Sequence, residues 1–570
     1  MCGIVGVIGK KAKKDVLLKM TNTQKHRGPD YTGTWIDEHI CLGHNRLSII
    51  DLSENANQPF QDKEKRFQLI FNGEIYNYQE LKKELDYDFV TSSDTEVLLA
   101  AYIKWGKDCL HRLNGMFSFA IWDSKEKMLF AARDRFGVKP FYYHQSKDTF
   151  YFSSEIKSLH AANIIRKPNK KVWANYFSFG SYGLPQETFW ENINQLPGGH
   201  FLEFDNNFLK IEKWYFFEKE IEKHAKKLTY NEVKTKYVEL LKDSIKLRFR
   251  ADVSVGFNVS GGLDSSALLA FVNLQEGKEN IKAFTFYTND NRYDELPWVE
   301  EMISLTKSPL NKVLLKVDEV ECLTKKISFH QDEPYGGIPT LAYSEIFKNA
   351  RKENVLVLLD GQGMDEQWAG YDYYLKNDNE NIIQGVQKSP FKKEVLSKEM
   401  LDLAKKTIYP KPFKDDLLNK QYRDLFYTKI PRALRFNDRI SMAYSTELRE
   451  PFLDYRLVEF AFAQPLEYKI KNGVQKKMLR DIVSEYLSDS ISYAPKRPLQ
   501  TPQREWLGNE LEKFVTDLLG NIGDSEFSSW FDIEKLKLEW QKYLDGDNQS
   551  SFHIWQWLSL SMCIDNTKMF

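Results

Sequence analysis

Near the middle of the chain the stretch Ser260-Gly-Gly-Leu-Asp-Ser-Ser266 leaves little choice of fold. It follows the apolar run Val253-Ser-Val-Gly-Phe-Asn-Val259 and precedes Ala267-Leu-Leu-Ala-Phe-Val272, which has the spacing to open a buried helix. The local order is strand, glycine turn, helix N-terminus. Gly261 and Gly262 let the backbone turn sharply and approach a ligand, which the first helical N–H groups face with the positive end of the helix dipole. Ser260, Ser265 and Ser266 add hydroxyl donors. No lysine stands where a P-loop needs one, so a cradle with Asp264 at its centre suits pyrophosphate, with Mg2+ held on it by Asp264. An ordinary strand-to-helix turn would satisfy the same local pattern.

The flanking sequence repeats the alternation. Asn231 to Phe249 has the apolar spacing of an amphipathic helix feeding the Val253 strand. Ile281 to Tyr287, which includes Phe286, reads as the next strand, and Asp294-Glu295 as the start of another helix. Val355-Leu-Val-Leu-Leu359 is a continuous apolar run, the mark of a parallel strand buried on both faces. Strands and helices in this order predict a doubly wound parallel sheet with ligands at the C-terminal strand ends. Asp360-Gly-Gln-Gly-Met-Asp-Glu366 then lies on the same rim as Ser260, with Asp365 the expected partner of Asp264 at the metal; a solvated acidic turn is the alternative.

At 570 residues the chain is expected to form two or three domains. A net charge of −1 gives no polyelectrolyte signal, so nucleic acid is not the expected partner. The cysteines, Cys2, Cys41, Cys109, Cys322 and Cys563, are scattered without a CxxC pair, which fits a reducing cytosol better than a disulfide framework. No apolar run is long enough to span a bilayer, and Lys10 to Lys14 follow the first apolar residues, the reverse of a secretory leader, so no membrane partner is expected. A cytoplasmic protein, a homodimer being compatible with it, is the expectation.

The N-terminus carries a second centre. Removal of Met1 ahead of the small pair Cys2-Gly3 would leave Cys2 with a thiol and a free α-amine, which can serve as base for that thiol. An ordinary buried cysteine is the plainer reading of Cys2 alone. Further on, Ser92-Ser93-Asp94-Thr95-Glu96 has a capping-box pattern. The Asn72 side chain and the Gly73 N–H could hold an oxyanion, Arg46 a substrate carboxylate, and Glu74 with Asp94 a substrate ammonium.

Taken together, Cys2-Gly3-Ile4, His26-Arg-Gly-Pro-Asp30, Arg46-Leu-Ser48, Asn72-Gly-Glu-Ile-Tyr-Asn77, Ser93-Asp-Thr-Glu96, Arg133-Asp-Arg-Phe-Gly-Val-Lys-Pro140 and Ser153-Ser-Glu155 closely resemble the class II (N-terminal cysteine) glutamine amidotransferase domain. The resemblance implies an Ntn-hydrolase-type four-layer sandwich over residues 2–205, with Arg46, Leu47, Ser48, Ile49, Ile50, Asn72, Gly73, Glu74 and Asp94 around glutamine and Cys2 as nucleophile. The short strands Met116–Trp122, Met128–Ala131, Phe141–Tyr143 and Thr149–Phe152 agree with it. Residues 206–228 read as a linker.

The Ser260 loop resembles the pyrophosphatase loop of ATP-dependent adenylating ligases. With Asp332-Glu-Pro334, Glu447-Leu-Arg-Glu-Pro-Phe-Leu-Asp454 and Lys476-Lys-Met-Leu-Arg480, the pattern over 229–570 resembles the glutamine-hydrolysing asparagine synthetase family, with a helical C-terminal part. The resemblance implies ATP and Mg2+ as cofactors. It also implies an ATP and pyrophosphate site at Asn258, Ser260, Gly261, Gly262, Asp264, Ser265, Ser266, Phe286, Asp360 and Gly361, with Lys476 on phosphate and the adenylate.

The chain departs from the pattern in three places. It reads Asp360-Gly-Gln-Gly363 where many members read S-G-E-G, so the carboxylate expected beside the acyl-adenylate is the neutral Gln362. Asn258 stands where leucine is more usual, and Gly336 to Thr340 lacks an arginine for an aspartate carboxylate. With Gln362 and Asp365 at the acceptor site, L-aspartate is the preferred acceptor. A sugar acid or peptide-linked acid of a cell-surface pathway stays open, as does a silent metabolite sensor.

Overall fold

The computed structural model describes residues 1–205, 208–224, 228–274, 281–376, 389–496 and 500–567. The first part builds on twelve strands: β1 (Gly3–Gly9), β2 (Tyr31–Ile36), β3 (Ile40–Arg46), β4 (Phe60–Gln61), β5 (Phe67–Ile75), β6 (Gly115–Asp123), β7 (Met128–Arg133), β8 (Tyr142–Gln145), β9 (Thr149–Ser153), β10 (Asn194–Gln195), β11 (His200–Asp205) and β12 (Phe208–Lys213). They form two antiparallel sheets, ordered β10-β8-β9-β1-β3-β2 and β12-β11-β7-β6-β5-β4.

Period-two alternation decides what each face does. Ile4 and Ile8 of β1, Leu42 of β3, Ile70 of β5, Ala120 and Trp122 of β6 and Phe150 and Phe152 of β9 meet between the sheets. Their neighbours Val5 and Val7 face outward onto Leu17 and Met20 of the Lys14–Thr23 helix. Phe71, Phe117, Phe119 and Ile121 face outward onto the Asp94–Trp105 helix. Two sheets between helical layers give the four-layer sandwich that the sequence predicts.

β12 pairs with β11 from Asp205↔Phe208 to His200↔Lys213, so the second sheet runs on into the segment read as linker. The helix Phe217–Lys223 follows, and 206–207 and 225–227 lie outside the described residues.

The Tyr230–Arg248 helix starts on a capping box between Thr229 and Glu232 and feeds a third, parallel sheet. This sheet contains β13 (Val255–Asn258), β14 (Ala283–Tyr287), β15 (Leu310–Leu314), β16 (Val357–Leu359) and β17 (Glu447–Arg449), ordered β15-β14-β13-β16-β17 and parallel throughout. Order reverses between β13 and β16, which puts the switch point at the Ser260 loop and the Asp360 loop together. The remaining chain to Thr567 is mainly helical, and its last helix, which carries Ile554, Trp555, Trp557 and Leu558, packs on the Val320–Gln331 and Glu512–Gly523 helices. No helix among the described residues is long and apolar enough to cross a membrane.

Candidate active sites

At the N-terminus, β1 brings Cys2 beside β5. The Cys2 N–H donates to Asn72 Oδ1 at 3.0 Å, and Cys2 Sγ lies 4.0 Å from the Leu47 carbonyl. Asn72 Nδ2 is buried with no partner among the described residues, an orphan donor beside the thiol. Gly73 is required by close approach, because a Cβ there would stand 2.1 Å from the Met116 carbonyl oxygen. Cys2, Arg46, Leu47, Ile49, Ile50, Gly73, Glu74 and Asp94 line one small cavity of about 20 Å3, together with Met1, Thr95 of the Ser93 motif, and Gln58, which no motif included. Ser48 lies off it; its N–H donates to Asp30.

The Arg46 guanidinium donates to the Ser53 carbonyl at 2.7 Å, to Asn57 at 2.8 Å and to the Asp51 carbonyl, which fixes its aim along the 51–57 loop. Ser93 caps its helix as predicted, but the other half of the capping box is absent. Glu96 instead accepts from the N–H groups of Val90 and Thr91, tying down the preceding loop. Arg27 of the His26-Arg-Gly-Pro-Asp30 motif is an interior brace. Arg27 is wholly buried, donates to the Cys2 carbonyl at 3.0 Å and pairs bidentately with Asp438 of the second part at 2.9 and 3.0 Å.

The second part also enters this first site. Met1 is buried and its ammonium sits 2.8 Å from Glu447 of β17. Arg449 of the same strand lies 2.5 Å from Glu447 and 3.5 Å from Glu74. Burial pushes the Cys2 thiol up, opposed by the terminal ammonium, the hydrogen bond at Leu47 and Arg46. Burial and then Glu447 push the Glu74 carboxyl well above the usual range, with Arg449 opposing. Burial raises Asp94 to about 6. These side chains, more than 350 positions apart in sequence, give no local signal, and the sequence reading missed both Glu447 and Arg449 as parts of this centre.

The second site is a cleft of about 680 Å3 at the switch point. Asn258, Ser260, Gly262, Asp264, Ser265, Phe286, Asp360, Gly361, Gln362, Asp365 and Lys476 all line it. Gly261 and Ser266 do not. The Gly261 N–H donates to Glu295 at 3.0 Å, and the Ser266 hydroxyl turns back to the Gly262 carbonyl at 2.9 Å. Ser265 closes the loop on itself, its hydroxyl 2.8 Å from the Ser260 carbonyl.

Lys476 Nζ stands 2.6 Å from both Asp264 and Asp365, and Lys496 pairs with Asp365. Burial alone would raise Asp365, but Lys476 and Lys496 outweigh it and hold the carboxyl well below the usual range. Burial keeps Asp264 raised against the pull of Lys476. The Asn258 amide donates to Tyr343 at 2.6 Å, while its Oδ1 is buried without a partner among the described residues. Lys496, Tyr343 and Glu295 were missed by sequence reading; Lys496 sits in a loop with no motif around it.

A cysteine centre on an antiparallel sandwich, joined to a phosphate-cradling loop at the switch point of a parallel sheet, defines a glutamine-hydrolysing, ATP-dependent ligase. Comparison with known proteins agrees: residues 1–215 match the glutamine amidotransferase domain model and 236–565 the asparagine synthase model. The chain is 32% identical to asparagine synthetase [glutamine-hydrolyzing] 3 of Bacillus subtilis, covering 87% of this chain and 86% of that protein. It is 31% identical to asparagine synthetase [glutamine-hydrolyzing] 1 of the same organism over 91% and 90%. It is 38% identical to a putative asparagine synthetase [glutamine-hydrolyzing] 2 of Methanocaldococcus jannaschii over 68% and 79%. The chain belongs to the asparagine synthase family.

Proposed function

We propose that this chain hydrolyses glutamine at Cys2, adenylates L-aspartate with ATP at the Ser260 loop, and joins the two into L-asparagine. The observation that carries the reading is the pairing of two built centres through β17. One has an orphan amide donor beside a terminal thiol, and the other has two carboxylates around Lys476 at the rim of a nucleotide-sized cleft. A catalytically silent sensor would have no use for Cys2, Asp264, Asp365 and Lys476 together.

In the first centre, with Met1 removed, the Cys2 amine takes the thiol proton as sulfur attacks the glutamine amide carbon. The Asn72 amide and the Gly73 N–H receive the oxyanion. Arg46 holds the substrate carboxylate, while Glu74 and Asp94 hold its ammonium. Water then releases glutamate. Ammonia stays neutral only if bulk water is excluded, which the buried Glu447–Arg449–Glu74 seam favours.

In the second centre the acceptor carboxylate attacks the α-phosphorus, and Ser260, Gly262 and Ser265 hold the departing pyrophosphate. The donor set fits Mg2+: Asp264 and Asp365 present hard carboxylate oxygens around one point, now neutralised by Lys476 Nζ. Bound Mg2+ would offset phosphate charge there and leave Lys476 for phosphate and Lys496 for an acceptor carboxylate. A reducing cytosol is the compartment that an unmodified Cys2 calls for.

Gln362 favours a second reading, another carboxylate acceptor, because no ionisable group stands at that position. ATP–pyrophosphate exchange over a panel of acids separates the two. Exchange with aspartate supports the first; exchange with another acid and none with aspartate replaces it with the second.

A further inference from the structure

β17 is short, and its ends reach both sites. Glu447 takes the Met1 ammonium beside the Cys2 cavity, and Glu450, just past the strand's end, stands on the rim of the parallel sheet. Parallel register puts Leu359 opposite Arg449, and the Asp360 N–H donates to the Arg449 carbonyl at 3.0 Å, so Glu450 comes level with Asp360. Asp360 lines the nucleotide cleft; Glu450 lines a narrow interdomain cleft behind it, of about 10 Å3. Tyr76, Met116 and Val138 of the sandwich and Arg248 and Leu453 form the other walls. Gly363 separates the two spaces, with Leu453 against it: a Cβ on Gly363 would stand 2.6 Å from Leu453 Cδ2.

Glu450 is 5% exposed, and its carboxyl accepts no hydrogen bond among the described residues. Lys139, 1% exposed on the sandwich, likewise makes no ion pair there, though its charge acts on Glu450, Glu447 and Asp438. A buried carboxyl lining a cleft and a buried ammonium whose charge reaches it, neither held in an ion pair among the described residues, are unusual.

We propose that Glu450 is the proton acceptor for the bond-forming half of the reaction, standing on the side from which nitrogen enters the nucleotide cleft. The inference rests on the amide-forming reading above. The nitrogen lone pair forms the C–N bond, the acyl C–O bond breaks, and AMP leaves with that electron pair. One N–H proton must then go to a base. Gln362 cannot take it, so it passes to the Glu450 carboxylate through the water-sized cleft and later to solvent. The Lys139 charge steadies the carboxylate.

The surroundings tune Glu450 for this. Burial, against Lys139, pushes it up to about 8; Asp360 and Asp134 push the same way and Arg248 opposes. Tyr343 and Tyr76 complete the set of titratable groups that feel it. A base with a pKa near the working pH is the efficient one.

The test uses the whole chain with Glu450→Gln, Glu450→Asp and Lys139→Met, and the panel acid that supports exchange. Glu450→Gln should keep glutaminase and ATP–pyrophosphate exchange within about twofold, while amide formed per glutamate released falls about 10²-fold. The wild-type rise of amide formation with pH through about 8 should vanish in Glu450→Gln, return in part with Glu450→Asp, and move alkaline in Lys139→Met. Unchanged amide yield and pH profile in Glu450→Gln would overturn the proposal, as would an equal loss of exchange. If no acid supports exchange, the amide-forming reading fails separately. Infrared difference spectra then decide: a protonated carboxyl band titrating near 8 in wild type and missing in Glu450→Gln supports the assignment of the proton, and its absence from wild type overturns it.

Discussion

Arg449→Met tests whether the second domain completes the glutamine site. Methionine keeps the aliphatic volume on β17 and removes a wholly buried guanidinium. That guanidinium lies 2.5 Å from Glu447 and 3.5 Å from Glu74, and also donates at 2.8 Å to the Arg248 and Arg250 carbonyls. Breaking a buried ion pair by removing one partner costs about 3–5 kcal/mol, so the first thermal transition should fall. The informative quantity is the KM for glutamine. Burial and Glu447 already hold Glu74 well above the usual carboxyl range, and Arg449 is the main opposing charge. Without it the Glu74 carboxyl is pushed still higher and its charge-assisted hydrogen bond to the substrate ammonium, about 1.5–3 kcal/mol, weakens. At 1.4 kcal/mol per factor of ten, KM should rise about 10- to 150-fold. Ammonia-dependent synthesis should keep its KM for ATP within about twofold. Steady-state glutaminase kinetics on folded Arg449→Met read this directly, and an unchanged KM for glutamine would refute the role of the cross-domain arginine.

Three further outcomes are expected. Cys2→Ala should abolish glutamate release and leave ammonia-dependent amide synthesis in place; residual glutaminase at wild-type rate would remove Cys2 as nucleophile. In Gly370→Ala the new Cβ would stand 1.9 Å from Asp365 Oδ1 and 2.2 Å from Lys476 Cε, so ATP–pyrophosphate exchange should fall about 10²-fold with glutaminase kept. Because burial raises Asp94 to about 6, kcat/KM for glutamine should drop on the acid side of that value, and Asp94→Asn should flatten the limb. The stability sign is opposite: a carboxyl that binds its proton more tightly when folded stabilises most below about 4, and that contribution is lost as pH rises through about 6.

Local order was legible wherever a pattern and its cause lie within a few residues. Strand, glycine turn and helix at Ser260 fix one another, and β16 was readable as a run of apolar residues because both its faces are covered. The capping box at Ser93 failed in one half because Glu96 found better donors at Val90 and Thr91, a choice set by the preceding loop. Side chains that work across the domain seam were not legible. Arg27 and Asp438 are 411 residues apart, and Glu447 acquires its meaning only when β17 slides against the N-terminus. Ser266 and Gly261 show the reverse: motif membership named them, while their hydrogen bonds show that one braces the helix and the other the loop.

The most direct test follows nitrogen and phosphorus in one reaction. The intact protein is given glutamine labelled with 15N at the side-chain amide, ATP, Mg2+ and L-aspartate in the presence of unlabelled ammonium. The expected products are 15N-labelled asparagine with AMP and pyrophosphate in equal amounts. ADP with phosphate, or an amide carrying only unlabelled nitrogen, would contradict a cysteine centre that feeds an adenylating one.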